Sequence, residues 1–491
     1  ARATGKVGVC TATSGPGATN LVTGIATAFM DSSAVVAITG QVSRHLIGND
    51  AFQEVDTTGI TIPITKHNYL VQDGDELSRT VAEAFYLAGS ARPGPVLIDV
   101  PKDVLLAECT PGGPEPPQLE GYRPTLKGHP GQIKRAAAVI KAAERPVIIV
   151  GGGIRTQASY DALIALAERN QIPVVSTLMG KGGFPNSHPL YLGLYGYHGR
   201  VAANTAITNA DVIIGVATRF GDRSTGSTLH FAPQAKVVHM DIDPAEVGKN
   251  IEVLIPIVGD ANHILGELVE QLPGASHTGW AARLQEKAKA HPLADLSGEV
   301  TIPKVLRALK NRCPDPILVT DVGRHQIFAA HYLPVDSCRS FLTSGGLGTM
   351  GFGLPAAIGA KLGRPDRQVV AVCGDGGFLM TCQELVTAAV ENVPILALVM
   401  HDNCLGMIRQ LQHAFYGKRF VSCELGDAVD FARLAESMGC LGITVAREDE
   451  IGPALSRALE SGRPAVLDCR IDAPANVYPM VTGATLMDYI E

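Results

Sequence analysis

Short apolar runs, separated by glycine turns and amphipathic stretches, recur along the whole chain. Near the C-terminal end an apolar run at 368–373 leads into Gly-Asp-Gly-Gly at 374–377, a helical stretch follows over 378–391, and a second apolar run occupies 394–400. Comparable runs lie at 7–10, 34–38, 95–100, 147–150 and 173–176. Repeated strand–helix–strand order predicts parallel sheets covered by helices. We therefore expect an α/β fold with three doubly wound parallel-sheet domains.

Changes in composition divide this pattern into three blocks. The predicted domains are residues 1–110, 128–272 and 302–491. A stretch rich in proline and glycine at 109–129 is typical of a linker, and a polar, partly helical connector is predicted over 273–301. The first block enters a strand within a few residues of Ala1 and is short beside the others, so we expect this domain to be N-terminally incomplete.

The composition narrows the class of protein. Of the 491 residues, 46% are apolar and only 18% are charged, which suits large buried cores. The net charge of −7 argues against a nucleic-acid partner. No uninterrupted apolar run is long enough to span a bilayer. The ten cysteines are scattered without a Cys-x-x-Cys pair, so we expect no zinc or disulfide framework and a cytoplasmic location, an organelle being the alternative.

The most informative chemical signal lies where two predicted strands end. Asp375 follows the strand at 368–373, and Asp402 follows the strand at 394–400. Parallel strands joined by a helix end at the same edge of a sheet, so the two carboxylates are predicted to lie side by side. Oxygen ligands beside glycine amides suit Mg²⁺ that also holds a phosphate group. The alternative is that Gly-Asp-Gly is only a turn.

This spacing resembles the thiamine diphosphate motif, in which Gly-Asp-Gly is followed further along by Asn-Asn or Asn-Asp. His401 stands where that motif usually has asparagine, and Asp402 keeps an oxygen at the position that binds metal. The resemblance implies Asp375, Asp402 and the backbone carbonyl of Cys404 as metal ligands. Asn403 is a rival for the ligand position if the loop is shifted by one residue.

Further motifs extend the resemblance over nearly the whole chain. They lie at residues 13–20, 40–41, 50–54, 92–102, 217–223, 241–246, 343–355 and 476–480. Together they resemble the large catalytic subunit family of acetolactate synthase (acetohydroxyacid synthase). The resemblance implies a pyrimidine-binding first domain, a central FAD-binding domain and a third domain that binds diphosphate and Mg²⁺.

One expected residue of that family is not found. Its activating glutamate lies on a segment ahead of the residues present here, and Glu54 is not at that position. We expect an omitted N-terminal segment, since a doubly wound domain without its first strands would expose apolar sheet edges. A truncated and inactive chain is the alternative.

The resemblance implies an enzyme of branched-chain amino-acid biosynthesis, a thiamine diphosphate-dependent transferase. Such an enzyme decarboxylates pyruvate and transfers the two-carbon unit to a second 2-keto acid, giving 2-acetolactate. The implied cofactors are thiamine diphosphate, Mg²⁺ and FAD, and the implied assembly is a homodimer or homotetramer with a possible regulatory small subunit. Because His401 and Leu411 depart from the family pattern, a related carboligase such as glyoxylate carboligase or a sulfoacetaldehyde acetyltransferase is the alternative.

The resemblance also implies roles for individual residues. The catalytic positions are Phe52, Gln53, Lys102 and Met350. The residues implied to contact thiamine diphosphate are Val322, Gly323, Arg324, His325, Gly348, Met350, Gly376, Gly377 and Met407. The residues implied to contact FAD are Arg92, Gly151, Gly152, Gly153, Thr177, Leu178, Met179, Gly196, His198, Arg219, Arg223, Asp241, Ile242 and Asp260. The substrate positions are Asp222, Arg223 and Leu411.

Two of these positions carry unusual residues. Arg324 stands where the family usually has glutamine, and arginine suits a phosphate group. Leu411 stands where the family typically has tryptophan, so we expect an enlarged acceptor pocket. For three other residues a structural role is the alternative. Met350 could be an ordinary core methionine, and Asp222 and Arg223 could form a surface ion pair.

The glycine run at 151–153 has two interpretations. As a dinucleotide fingerprint it is poor, because Thr156 holds the third glycine position and the next strand ends without an acidic residue. We therefore do not expect a nicotinamide enzyme. By resemblance the run binds FAD, and a central domain without flavin is the alternative.

Overall fold

The computed structural model describes residues 1–110, 117, 119–272, 274, 277–472 and 475–490. Residues 1–126 together with 344–349 form one compact unit, and residues 127–343 together with the chain from Met350 onward form another. Residues 111–116 and 118 of the predicted linker, and residues 273 and 275–276 of the predicted connector, lie outside the described residues.

The first unit contains a parallel four-stranded sheet in the order β1-β2-β4-β3. Its strands are β1 (Gly8–Ala12), β2 (Val35–Gln41), β3 (His67–Leu70) and β4 (Pro95–Pro101). Its helices are α1 (Pro16–Asn20), α2 (Val22–Met30), α3 (Thr57–Thr61), α4 (Leu77–Gly89) and α5 (Lys102–Leu106). Every residue of β4 is buried, as expected of a parallel strand covered on both faces. Helix α4 buries Ala84 and Leu87 in the same core as Val96 and Ile98 of β4.

The second unit contains a central sheet in the order β10-β9-β8-β5-β6-β7, with parallel pairing throughout. Its strands are β5 (Pro146–Val150), β6 (Val174–Ser176), β7 (Tyr191–Leu194), β8 (Val212–Val216), β9 (Lys236–Asp241) and β10 (Ile255–Val258). The helices are α6 (Pro130–Lys141), α7 (Gln157–Asn170), α8 (Val201–Asn209), α9 (Asp222–Thr225), α10 (Ala261–Gln271) and α11 (Thr278–Ala290).

Alternate residues of β5 show that this sheet is covered on both faces. Ile148 and Val150 pack in one core with the helices α6, α7 and α10. Val147 and Ile149 pack in another core with α8 and α11, where Trp280 also donates from its indole N–H to the carbonyl of Pro146 (3.2 Å). The period of two places successive side chains on opposite faces. The doubly wound arrangement predicted from the sequence is confirmed for this sheet. Helix α11, which lies in the predicted connector, packs in the core of the same sheet.

The second unit also contains a third parallel sheet, in the order β12-β11-β13-β14-β16-β15. Its strands are β11 (Ile317–Thr320), β12 (Phe341–Thr343), β13 (Val369–Gly374), β14 (Leu396–His401), β15 (Leu441–Val445) and β16 (Ala465–Arg470). The helices are α12 (Ile302–Arg312), α13 (Arg324–Tyr332), α14 (Gly353–Gly363), α15 (Asp375–Leu379), α16 (Glu384–Val390), α17 (Gly406–Phe415), α18 (Phe431–Ser437) and α19 (Glu448–Glu460). Two short strands, β17 (Met480–Val481) and β18 (Tyr489–Ile490), pair antiparallel.

One predicted element differs from the structure. The sequence predicts a continuous helix over 378–391, whereas the structure has α15 and α16 with a break between them. Backbone bonds of the i→i+3 type tighten the chain at this break, as in the bond from Thr381 N–H to the carbonyl of Phe378 (3.2 Å). The Thr381 hydroxyl also donates to the carbonyl of Gly351 (3.1 Å). A tertiary contact therefore overrides the local helical preference.

None of the helices among the described residues combines the length and the apolar character that a membrane crossing requires.

Candidate active site

Asp321 organises the carboxyl edge of the third sheet, where β11, β13 and β14 end beside one another. Its fully buried carboxylate accepts from the N–H groups of Val322 (2.7 Å) and Gly351 (3.1 Å) through Oδ1, and from Gly353 (2.8 Å) through Oδ2. A side chain at Gly377 would collide with the same carboxylate. Asp321 therefore fixes two loops at this edge. The sequence analysis missed it, although an acidic residue directly after a strand was the available signal.

Asp375 and Asp402 lie next to each other at this edge. The Asp402 N–H donates to Asp375 Oδ2 (3.2 Å), and the Gly376 N–H donates to Asp375 Oδ1 (2.8 Å). Burial, followed by the negative charge of Asp402, raises the pKa of Asp375 to about 6. Among the described residues, no group of three or more His, Cys, Asp or Glu side chains could hold a metal ion. A cation at this edge would therefore also need oxygens from the backbone and from a bound ligand. Asp375 and Asp402 suit Mg²⁺ when such oxygens complete its shell, and their role as metal ligands stays a prediction.

Cys404, whose carbonyl is predicted as a third ligand, pairs with Glu424 in a short antiparallel bridge. The Leu405 N–H donates to the carbonyl of Cys423 (2.7 Å), and the Leu425 N–H donates to the carbonyl of Asn403 (2.8 Å). These two bonds hold the loop and leave the carbonyl of Cys404 out of the bridge. The position therefore suits the predicted ligand role.

His401 fixes the side chain of the rival ligand, Asn403. The imidazole contacts Asn403 Oδ1 through Nε2 (2.8 Å) and Asp468 Oδ1 through Nδ1 (2.7 Å). Burial opposes a charge on this ring, but the hydrogen bond and charge of Asp468 outweigh burial, so the pKa of His401 lies above its usual range. The Asn403 amide is thereby engaged, while Asp402 meets Asp375. The Asp402 carboxylate is engaged as well, by the Arg324 guanidinium, so its ligand role, with Asn403 as the rival, stays a prediction.

His325 presents a buried nitrogen at the same edge. Added Cβ atoms at Gly323 and Gly374 would lie 2.8 Å from the imidazole, so glycine at both positions leaves room for the ring. Burial lowers the pKa of His325 in spite of the negative charges of Asp321 and Asp402. Its Nε2 has no hydrogen-bond partner within the part of the chain that the structure describes. A buried nitrogen of this kind suits a ligand oxygen, as predicted for a diphosphate.

Arg324, also predicted to contact the diphosphate, binds a predicted metal ligand instead. It opens α13, and its buried guanidinium forms an ion pair with Asp402. Nη1 also donates to the carbonyl of Ala475 (3.0 Å). Val322 and Gly323 precede it at the end of β11.

Apolar side chains surround Gly376 on the other side of the carboxylates. A Cβ added there would lie 2.6 Å from Leu405 Cδ2, 3.3 Å from Leu425 Cδ1 and 3.8 Å from Met350 Cε. Met350 is half-buried, so it borders an open space. Met407 of α17 packs against the core of the third sheet. The structure thus places Met350 beside the glycine run and Met407 mainly in the core.

Helix α17 is tied to the chain that follows β16. The buried side chain of Gln410 donates to the carbonyl of Val477 (2.9 Å) and accepts from its N–H (2.8 Å). The half-buried Leu411, predicted to shape the acceptor pocket, follows directly in α17. Sequence reasoning missed Gln410, which positions the helix through a paired contact across 67 residues.

The residues predicted to contact FAD, apart from Arg92, lie after the strands of the central sheet, at one carboxyl edge. Gly151–Gly153 follow β5, and Thr177–Met179 follow β6. The remaining positions are Gly196 and His198 after β7, Arg219 and Arg223 after β8, Asp241 and Ile242 at the end of β9, and Asp260 after β10. The strand order reverses between β5 and β8, which is where open α/β sheets bind ligands.

Glycine is required at the end of β5 by close packing of the chain. An added Cβ at Gly151 would collide with the carbonyl of Ala217, and one at Gly153 would lie 2.5 Å from the side chain of Ala217. An added Cβ at Gly152 would lie 3.1 Å from Met179 Cβ. The run therefore brings the loops after β5, β6 and β8 together, which a large ligand at the switch point needs.

Polar groups with different surroundings line this central edge. His198 Nδ1 is buried without a hydrogen-bond partner among the described residues, and burial lowers the pKa of this imidazole to about 4. The exposed Arg223 lies over the ring of Tyr197, with 5.1 Å from Cζ to the ring centre. Asp260 caps α10 by accepting from the Asn262 N–H (2.9 Å). An orphaned imidazole nitrogen and an exposed cation suit an anionic cofactor such as FAD.

The remaining predicted positions belong to the first unit. Gln53 has a positive φ of 60°, and a Cβ added at Gly15 would lie 2.7 Å from its carbonyl oxygen. Phe52 is 89% exposed, and Lys102, at the start of α5, is exposed as well. Arg92 donates to the Ser32 hydroxyl (2.9 Å). An exposed phenyl ring on a constrained loop suits a contact surface better than a core.

Gly348 and Glu54, which does not stand at the position of the activating glutamate, also lie in this unit. Gly348 has a positive φ of 72° in the segment 344–349, which favours glycine. The Glu54 carboxylate accepts from the N–H of Ala51 (2.8 Å) and from that of Gly48, and the bond from Gly48 contributes most to lowering its pKa. Glu54 therefore holds its own loop.

Three family models match the chain. The model of the thiamine pyrophosphate enzyme N-terminal TPP-binding domain matches residues 1–60, the central-domain model matches residues 133–268, and the C-terminal TPP-binding-domain model matches residues 321–469. The last range contains Asp375, Asp402 and His325.

Curated relatives match over the full chain. The acetolactate synthase large subunit of Mycobacterium tuberculosis is 48% identical over all of this chain and 82% of its own length. A probable acetolactate synthase large subunit of Methanocaldococcus jannaschii is 47% identical over all of this chain and 86% of its own. The corresponding subunit of Corynebacterium glutamicum is 46% identical over 99% of this chain and 80% of its own. The chain therefore belongs to the acetolactate synthase large-subunit family of thiamine pyrophosphate-dependent enzymes.

Proposed function

We propose that this chain is the catalytic subunit of an acetolactate synthase, which forms 2-acetolactate from two molecules of pyruvate. The observation that carries the proposal is the pair of carboxylates, Asp375 and Asp402, at the edge of the third sheet in a chain of this family. Thiamine diphosphate, when bound, supplies the nucleophilic carbon and the electron sink for decarboxylation and two-carbon transfer.

Different residues at the carboxyl edge of the third sheet would bind different parts of the cofactor. Asp375, Asp402 and the carbonyl of Cys404 would hold Mg²⁺, which prefers oxygen ligands and shares its shell with phosphate oxygens. His325 would offer its buried Nε2 to the diphosphate. Met350 would support the cofactor ring from the apolar side of Gly376. Buried polar groups would thus hold the diphosphate and the metal, and the ring of the cofactor that reacts would contact apolar side chains.

Substrate contacts are proposed for exposed residues on both units. In the first unit, Phe52, Gln53 and Lys102 would contact the substrate. In the central domain, Asp222 and Arg223 would do so, and the exposed guanidinium of Arg223 suits the carboxylate of a 2-keto acid. Leu411 would border the acceptor position.

The proposal is tested by supplying pyruvate with thiamine diphosphate, Mg²⁺ and FAD and resolving the products by mass. We expect 2-acetolactate to form, and to be lost when Mg²⁺ or thiamine diphosphate is removed. Leu411→Trp should raise the share of 2-aceto-2-hydroxybutyrate when 2-ketobutyrate competes with pyruvate, since one methylene is worth about 1–3 kcal/mol in a packed pocket. In parallel assays with glyoxylate or sulfoacetaldehyde, turnover of either compound without acetolactate from pyruvate would contradict the assignment.

FAD is proposed for the central edge, held by the loops after its six strands. The support is the close approach of Gly151–Gly153 to the loops after β6 and β8, at the point where the strand order reverses. The flavin does no net redox work in this reaction, so its role is structural. Fluorescence titration of the released flavin against protein concentration should give one FAD per chain.

A homodimer, or a homotetramer built from it, is proposed as the assembly, with a regulatory small subunit as a further partner. In this family the pyrimidine domain of one subunit and the diphosphate domain of another share each cofactor. Light scattering at micromolar protein with the cofactors present should give at least twice the 51.6 kDa of one chain. A monomer under those conditions would contradict the assembly.

A further inference from the structure

Arg324 occupies an unexpected place at the carboxyl edge of the third sheet. Its side chain is 2% exposed and forms an ion pair with the Asp402 carboxylate, which is 9% exposed. It also donates to the carbonyl of Ala475 (3.0 Å) and, through Nη2, to the sulfur of Cys404 (3.3 Å). Contacts from two separate segments, the loop of Asp402 and Cys404 and the chain at Ala475, therefore hold the guanidinium in place.

This ion pair conflicts with a metal at the same carboxylate. Asp402 is one of only two carboxylates proposed for Mg²⁺, and the other, Asp375, accepts from the Asp402 N–H. A guanidinium and a divalent cation beside one carboxylate repel each other, and the repulsion is strong because burial limits screening by solvent. Arg324 therefore opposes a cation at Asp402 for as long as the guanidinium remains on that carboxylate.

We propose that Arg324 competes with the divalent cation for Asp402 and thereby couples metal binding to diphosphate binding. This inference rests on the proposed metal site at Asp375 and Asp402. Without a diphosphate the guanidinium stays on Asp402 and weakens metal binding. A bound diphosphate gives the displaced guanidinium anionic oxygens, which arginine binds well, so the two ligands favour each other. By linkage the same coupling increases the affinity for diphosphate when metal is present.

The packing around Arg324 offers a way to displace it without removing its charge. Residue 406, which opens α17, is glycine, and a Cβ added there would collide with the guanidinium. The collision involves the far end of a flexible side chain, and alanine is a good helix former. Gly406→Ala should therefore push the guanidinium off Asp402 and leave the helix intact.

The test is calorimetric titration of Mg²⁺ into protein stripped of metal and cofactor. Arg324→Gln and Gly406→Ala should each bind Mg²⁺ more tightly than the parent, by about tenfold or more, because the guanidinium no longer repels the cation at Asp402. Arg364→Gln is the matched control, because it breaks an exposed Arg–Asp pair, and its affinity should equal that of the parent. With saturating thiamine diphosphate the gain of both variants should shrink, since the parent guanidinium then has another partner.

Equal or weaker Mg²⁺ binding by both Arg324→Gln and Gly406→Ala would overturn the proposed competition, as would undetectable binding in all proteins. Asp375→Asn separates this failure from failure of the metal site. If Asp375→Asn abolishes Mg²⁺ binding while Arg324→Gln leaves the affinity unchanged, the site stands and only the competition is wrong. If Asp375→Asn binds Mg²⁺ like the parent, the site itself is wrong.

Discussion

The central sheet and the third sheet share a parallel six-stranded architecture, yet their carboxyl edges are built from different chemistry. At the third sheet the charged groups Asp321, Arg324 and Asp375 are all buried and held by hydrogen bonds or ion pairs. At the central sheet, Gly151 and Gly153 pack closely against the loop after β8, while the side chains of Asp222 and Arg223 are exposed. One edge is therefore fixed by its charges and the other by its backbone packing, which suits a compact metal–diphosphate group and a long flavin respectively.

The largest effect should follow the loss of the buried carboxylate that organises the third edge. Asp321→Ala removes the acceptor of three backbone N–H groups, each costing about 1–3 kcal/mol when left unsatisfied. We expect the free energy of unfolding, measured with urea, to fall by about 3 kcal/mol or more. Asp321→Asn keeps one oxygen and should lose less. A loss below about 0.5 kcal/mol, the range of ordinary surface changes, would show that the edge does not depend on this carboxylate.

Removal of a proposed metal ligand should abolish the stabilisation that the cofactors give. In the parent, Mg²⁺ and thiamine diphosphate at a hundredfold excess over their Kd should stabilise the protein by about 2.7 kcal/mol. Asp375→Ala should abolish that stabilisation and leave FAD binding unchanged, because the flavin is proposed for the other edge. The control is Asp366→Ala, at an exposed ion pair, which should respond to the cofactors like the parent. Stabilisation of both variants alike would remove Asp375 from the site.

A change at the carboxyl edge of the central sheet should have the opposite effect, the loss of FAD binding without loss of thiamine diphosphate binding. Gly151→Ala would place a Cβ against the carbonyl of Ala217, an overpacking that costs about 1–3 kcal/mol. We expect flavin fluorescence to show loss of FAD, while stabilisation by Mg²⁺ and thiamine diphosphate persists. Gly266→Ala in α10 is the matched control, because nothing lies near its added Cβ. Retention of FAD by Gly151→Ala would show that the backbone approach is not needed for the flavin.

The smallest effect concerns the pH dependence of stability at the central edge. His198 is buried neutral with its pKa lowered to about 4, below the usual 6.5. The unfolded chain therefore binds one more proton between these values, and the free energy of unfolding falls as pH drops from about 6.5 to about 4. His198→Gln should reduce that slope by up to about 1.4 kcal/mol per pH unit in urea titrations. The exposed His263→Gln should keep the parent slope, and an equal slope in His198→Gln would contradict the assignment.

The sequence predicts the features that follow from strand order. Asp375 and Asp402 were expected together because parallel strands joined by a helix end at one edge, and the structure brings the two residues into contact. The fold class was predicted for the same reason, since apolar runs and glycine turns set the alternation of strands and helices. The family resemblance, now supported by full-length relatives, supplied the remaining positions.

The sequence does not predict contacts that depend on the path of a side chain through the folded protein. The ion pair of Arg324 with Asp402 spans 78 positions and needs the space above Gly406. The pairing of His401 with Asp468 likewise joins the ends of β14 and β16, which only the sheet order makes neighbours. Local patterns contain no signal for either contact, because the two partners of each lie far apart along the chain.

The most direct test of the metal-dependent acetolactate synthase assignment is anomalous diffraction from crystals of the protein with Mn²⁺ and thiamine diphosphate. The proposed site requires one strong peak within ligand distance of both Asp375 and Asp402, with the Arg324 guanidinium turned from Asp402 toward the diphosphate. A peak elsewhere, or an Arg324–Asp402 pair that persists beside an ordered cofactor, would contradict this account.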